Sequence, residues 1–94
     1  MQKIFDLKSW RDLSDKEKEA ELMIWDVYAG EGKDILAAII KELKCVYEQE
    51  KGIISIFDGL YHGGILVICV DLKKGSKVEI PSKYQGFHVM KSYQ

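Results

Sequence analysis

The sequence is poor in the residues that usually reveal chemistry: one proline, two cysteines and two histidines among 94 residues. Two cysteines, Cys45 and Cys69, are too few for a disulfide scaffold, and both are expected to be reduced thiols. No apolar run reaches the ~18–20 residues of a membrane span. The opening segment "MQKIFDLKSWRDL" scatters charge where a signal peptide would carry an apolar stretch, so a cytoplasmic protein is expected. An excess of one charge sign is also lacking. The net charge is −1, with −4 over residues 1–50 and +3 over residues 51–94. That weak dipole is far from the basic balance of an independent nucleic-acid binder, so no nucleic-acid partner is expected.

What is present is ordinary globular material. Hydrophobic residues make up 47% and charged residues 31% of the chain, enough for one small folded domain over residues 1–94. Ser14 and Glu17 form an S-x-x-E capping box, which predicts a helix from Asp15 to about Ala29, stopped by Gly30. Its second half, "LMIWDVYA", is apolar almost all round and needs cover on more than one side. "GEGKD" reads as a turn into a second helix from Ile35 to about Gln49. There Leu36, Ile39, Ile40, Leu43, Val46 and Tyr47 share an arc opposite Lys41, Lys44 and Glu48.

After Gly52 the pattern turns β-branched. "IISIF" (53–57) is a predicted strand, "DGLYHGG" (58–64) a connecting loop, and "ILVICVDL" (65–72) a central strand apolar on both faces. "VEI" (78–80) reads as a short edge strand, "PSKYQ" as a loop and "GFHVMKSY" (86–93) as the last strand. Pro81 has no N–H to give a ladder, so it ends the edge strand, while Gly86 permits a positive φ where the chain re-enters the sheet.

The second half, with its L-V-I-C-V strand (66–70) and its ending of Ile80, Pro81, Gly86, Phe87 and Val89, resembles a known pattern. It is similar to the small α+β module that precedes the catalytic domain of some bacterial trypsin-like peptidases, found also in short bacterial proteins. The resemblance implies no catalytic residues and no enzymatic activity.

Several motifs invite chemistry and fall short of it. "GEGK" (30–33) lacks the spacing and the Ser/Thr of a phosphate loop. Cys45, His62, Cys69 and His88 stand too far apart in sequence for the short-loop pairs of a zinc site, so no metal or cofactor is expected. Cys45 borders Lys41 and Lys44, yet nothing places a base beside it. Lys73, Lys74, Lys77, Lys83 and Lys91 read as guards against sheet aggregation.

The sequence therefore predicts an α+β fold, two N-terminal helices packed on a mainly antiparallel sheet of three or four strands. It predicts a non-catalytic interaction or regulatory module, closed as a homodimer through Trp25, Tyr28 or the outer sheet face. In the alternative to a dimer, "IFDLKSW" folds back over the exposed face and leaves a monomer. A different functional class is a ligand-binding domain or small enzyme centred on the 58–64 loop, with Asp58, Tyr61 and His62 as its residues.

Overall fold

The computed structural model describes residues 7–24, 31–61 and 65–94. Its first clear signal is the capping box. The Ser14 amide donates to Glu17 Oε1 at 3.0 Å, and the Glu17 amide donates to Ser14 Oγ at 3.2 Å. Each residue satisfies an orphan donor of the helix start, and α2 runs from Asp15 to Ile24. Before it lies a five-residue helix, α1 (Leu7–Arg11), which the sequence reading did not predict. The long helix α3 spans Glu31–Val46. It begins earlier than expected, so the "EGK" read as a turn forms its first turn, and it ends three residues sooner.

Four strands make one sheet: β1 (Ile53–Tyr61), β2 (Ile65–Leu72), β3 (Lys83–Tyr84) and β4 (Phe87–Tyr93), in the order β1-β2-β4-β3. The two outer pairs are antiparallel and the β2–β4 pair is parallel. The fold is α+β with a mostly antiparallel sheet, as the sequence predicts, and β2 is central.

All the described helices share one side of this sheet. Ile56, Leu66, Ile68, Val70, Leu72, Phe87 and Val89 meet Trp10, Leu22, Ile35, Leu36, Ile39 and Leu43 in one buried cluster. The α3 periodicity holds for Leu36, Ile39, Ile40 and Leu43, with Tyr47 packed against the cluster. Val46 departs from it: the helix ends there and the side chain is 61% exposed.

Three strand expectations need correction. Residues 58–61 belong to β1 rather than to a loop, because pairing continues from Asp58↔Ile68 to Tyr61↔Ile65. Gly59 fits a strand here because the Cys69 side chain fills the space its Cβ would take: a methyl group built on Gly59 would lie 2.4 Å from Cys69 Sγ. Val78–Ile80 form no strand. Ile80 instead turns into the core, and the Tyr47 hydroxyl donates to the Glu79 carbonyl at 3.4 Å. The short strand is Lys83–Tyr84, inside the expected loop. It joins β4 through a two-residue turn in which both Gln85 (φ 52°) and Gly86 (φ 87°) are left-handed. Two positive φ values match the twist of a tight hairpin, so Gly86 does what its position suggested.

The candidate interaction surface

A sheet with helices on one side leaves the other side to be accounted for. Strand alternation places Ser55, Phe57, Gly59, Ile65, Val67, Cys69, Asp71, His88, Met90 and Ser92 on that outer face. None of the described helices adds a residue to the buried cluster from that side, although Val67 on it is only 2% exposed while Phe57 and Met90 are partly open. Of the "IFDLKSW" segment whose fold-back is the alternative to a dimer, residues 4–6 lie outside the described residues, and Trp10 at its end is fully buried in the helix-side core, its ring 5.2 Å from Phe87.

The register arranges the outer face in rows. Phe57 lies opposite Cys69, and Cys69 lies beside Met90, giving an apolar row across three strands. Phe57 and Met90 are 42% and 41% exposed. The next row is polar: Ser55, Asp71 and Ser92, with Ser55 Oγ donating to Asp71 Oδ2 at 3.3 Å. A polar row beside an apolar one fixes the orientation of whatever docks, since a one-row slip would set apolar groups against Asp71.

A strand apolar on both faces implies a buried Cys69, whereas its side chain is partly exposed. Burial pushes its thiol above the usual value, and the charges of Asp71 and Asp58 push it further. A thiol raised in this way is a poor nucleophile at neutral pH. Cys45 is exposed on α3. That helix packs on the other side of the sheet from Cys69, so the two cysteines cannot share a metal ion. Among the described residues no group of three potential ligands comes together.

Of the predicted ligand residues, Asp58 is exposed within β1 and lines a groove of about 480 Å³ between β1 and α3, with Lys33, Lys41 and Lys44 on the helix side. Tyr61 is the last residue of β1. His62, Trp25 and Tyr28 lie outside the described residues. Asp58 is thus brought beside lysines of α3, a neighbourhood the sequence reading missed. The signal was present in the spacing of Lys33, Lys41 and Lys44, which returns to one side of a helix.

No helix among the described residues is long and apolar enough to cross a membrane. Comparison with protein-family models, with curated proteins and with solved structures gave no match.

Proposed function

We propose that the protein is a non-catalytic interaction module that associates with a second copy of itself and presents its outer sheet face to protein partners. The observation that carries this reading is the row Phe57–Cys69–Met90, apolar and partly exposed on a face none of the described helices covers. Aromatic and methionine side chains are enriched in such surfaces because they supply area and adapt their shape. The resemblance of the second half to a module without catalytic residues supports the same reading. Two free thiols suit a reducing compartment, and the cytoplasm is the proposed location. Light scattering at micromolar concentration tests self-association. A mass twice 10.8 kDa is expected, and a mass near 10.8 kDa would remove the dimer from the proposal.

A second reading has one observation in its favour. Lys33, Lys41 and Lys44 line the groove together with Asp34 and Asp58, and the three lysines support a domain binding a small anionic ligand there. Thermal shift against phosphate and simple nucleotides tests it. An unchanged melting temperature at millimolar ligand would sink this second reading.

A further inference from the structure

The two edges of the sheet are built differently. The β3 edge is two residues long, carries Lys83 and follows Pro81 closely. Short length, lysine and proline are the usual protections against unwanted strand pairing. The β1 edge is nine residues long, has no lysine or proline, and exposes Ile54 (50%), Phe57 (42%) and Leu60 (60%). Among the described residues no strand pairs with its outer side.

Two hydrogen bonds set which residues of β1 offer backbone groups to that edge. The Lys73 amide donates to the Gly52 carbonyl at 2.8 Å, while the Gln94 amide donates to the Leu72 carbonyl at 2.9 Å. Leu72 therefore addresses β4, and Gly52 with Lys73 is a bonded pair of the β1–β2 ladder. Antiparallel strands alternate bonded and non-bonded pairs. Carried past the register shift between Ile53 and Ser55, the alternation turns Ser55, Phe57 and Gly59 toward β2. Ile56, Asp58 and Leu60 turn their N–H and C=O groups to the open edge.

We propose that the dimer forms by antiparallel pairing of β1 with β1 of a second copy, in the register centred on Phe57. This rests on the self-association proposed above and names its interface. A two-fold axis at Phe57 sets Ile56 opposite the second copy's Asp58, matching outward-facing backbone groups, and Leu60 opposite its Ile54 at the register shift, bringing together two exposed apolar side chains of the strand. Other centres fail on specific residues. An axis at Asp58 sets two carboxylates directly opposite each other, which is unfavourable. An axis at Ile56 carries Leu60 past the start of the second strand, and an axis at Gly59 carries Ile54 past its end.

The Phe57 register has two further consequences. Phe57 meets its own copy across the axis on the outer face, so the two Phe57–Cys69–Met90 rows join into one. On the helix side, Asp58 comes beside the second copy's Ile56, which lines the groove bordered by Lys41 and Lys44. The lone charge of β1, already beside the lysines of its own α3, thereby approaches those of the second copy as well. The assembly also closes: its eight-stranded sheet ends on two guarded β3 edges and offers no long edge for growth. A nine-residue strand is about 30 Å long, and such a contact buries on the order of 1,000 Å² in total, the lower end for a specific complex. A concentration-dependent dimer is expected.

The test exploits the pairing of position 54 with position 60. Ile54→Glu and Leu60→Lys should each yield a monomer by light scattering, because each leaves a charge against an apolar side chain. The double variant should recover the dimer, since glutamate then faces lysine twice across the axis. Circular dichroism should stay near wild type in all three, while the melting temperature of the single variants should lose the concentration dependence that dimerisation gives the wild type. Single variants that remain dimeric alongside a dimeric wild type would overturn the β1 interface and leave self-association standing. Folded single and double variants that are all monomeric would overturn the register. Should a variant fail to fold, hydrogen exchange of the wild type decides: the Ile56, Asp58 and Leu60 amides must slow on raising concentration, and unchanged rates would refute the pairing. A wild type that is monomeric at every concentration removes both proposals.

Discussion

The indole N–H of Trp10 donates to the backbone carbonyl of Gln85 at 2.7 Å, joining positions 75 residues apart. The acceptor belongs to the tight turn between β3 and β4, and the Trp10 ring packs on Phe87 just beyond it. One side chain thus ties the short first helix to the hairpin that guards one sheet edge. Arg11 pairs with Glu42, whose second oxygen accepts from the Tyr84 hydroxyl at 2.8 Å, so α1, α3 and β3 are held together beside it.

Trp10→Ala should cost about 3–5 kcal/mol, the usual penalty for emptying a buried aromatic site. Trp10→Phe keeps much of the packing and loses the donor, so a smaller loss is expected. Urea unfolding monitored by circular dichroism measures both. A Trp10→Ala variant within ~1 kcal/mol of wild type would show that α1 does not contribute to the core as described.

Gly86 and Gly75 offer a controlled comparison. Both have positive φ, 87° and 84°, but a Cβ on Gly75 meets nothing within 4 Å, whereas one on Gly86 lies 2.8 Å from Lys18 Cβ. Gly75→Ala should therefore cost only the left-handed backbone strain, about 1–2 kcal/mol. Gly86→Ala should cost more, because the mostly buried Lys18 stem lies over the turn. Equal losses for the two would mean that Lys18 gives way freely.

Much of this was legible in the sequence, and the failures have physical causes. The capping box of Ser14 and Glu17 announces a local geometry, so four residues suffice to read it. The central position of β2 follows from its apolar run, and the positive φ at Gly86 from the residue type. The sequence predicts too short a β1 because Gly59 weakens a strand in isolation; the side chain that makes it fit, Cys69, is on the neighbouring strand. The β-prone composition of "VEI" suggests a strand, but Ile80 gains more by entering the core. Helix α1 has only five residues, too few for an apolar period to reveal it, and it is fixed by Trp10 reaching Gln85. The candidate surface was the hardest to read, since the Phe57–Cys69–Met90 row exists only once three strands are in register.

Two exposed glutamates should make stability fall in acid. Hydrogen bonds from the Ser14 amide and hydroxyl hold Glu17 below its ordinary value of 4.5, and the Lys83 ammonium, 2.5 Å away, does the same for Glu19. A carboxylate depressed in the folded state stabilises fully above its unfolded pKa, and that contribution is lost as pH falls through the folded pKa. The melting temperature should thus drop as pH is lowered below about 4.5. Glu17→Gln and Glu19→Gln should each flatten that slope. Identical slopes in wild type and both variants would rule out these two groups as contributors.

The contact between Gly59 and Cys69 yields the most stringent prediction about the outer face. A Cβ at position 59 would lie 2.4 Å from the Cys69 sulfur, well inside van der Waals contact, so Gly59→Ala must displace the thiol or bend β1. Overpacking of this kind costs roughly 1–3 kcal/mol. Cys69→Ala removes the sulfur and should relieve the clash, making the double variant more stable than the sum of the two single losses. A coupling of about 1 kcal/mol or more is expected for residues in such contact. Thiol labelling supplies an independent reading of the same site. Cys45, exposed on α3, should react faster than Cys69, whose thiol is half-buried and raised by burial and by Asp71 and Asp58. In Gly59→Ala the displaced sulfur should label faster than in wild type. Strict additivity in the cycle, together with an unchanged Cys69 rate, would show that the sulfur does not lie over Gly59 and that the register between β1 and β2 differs from Phe57↔Cys69.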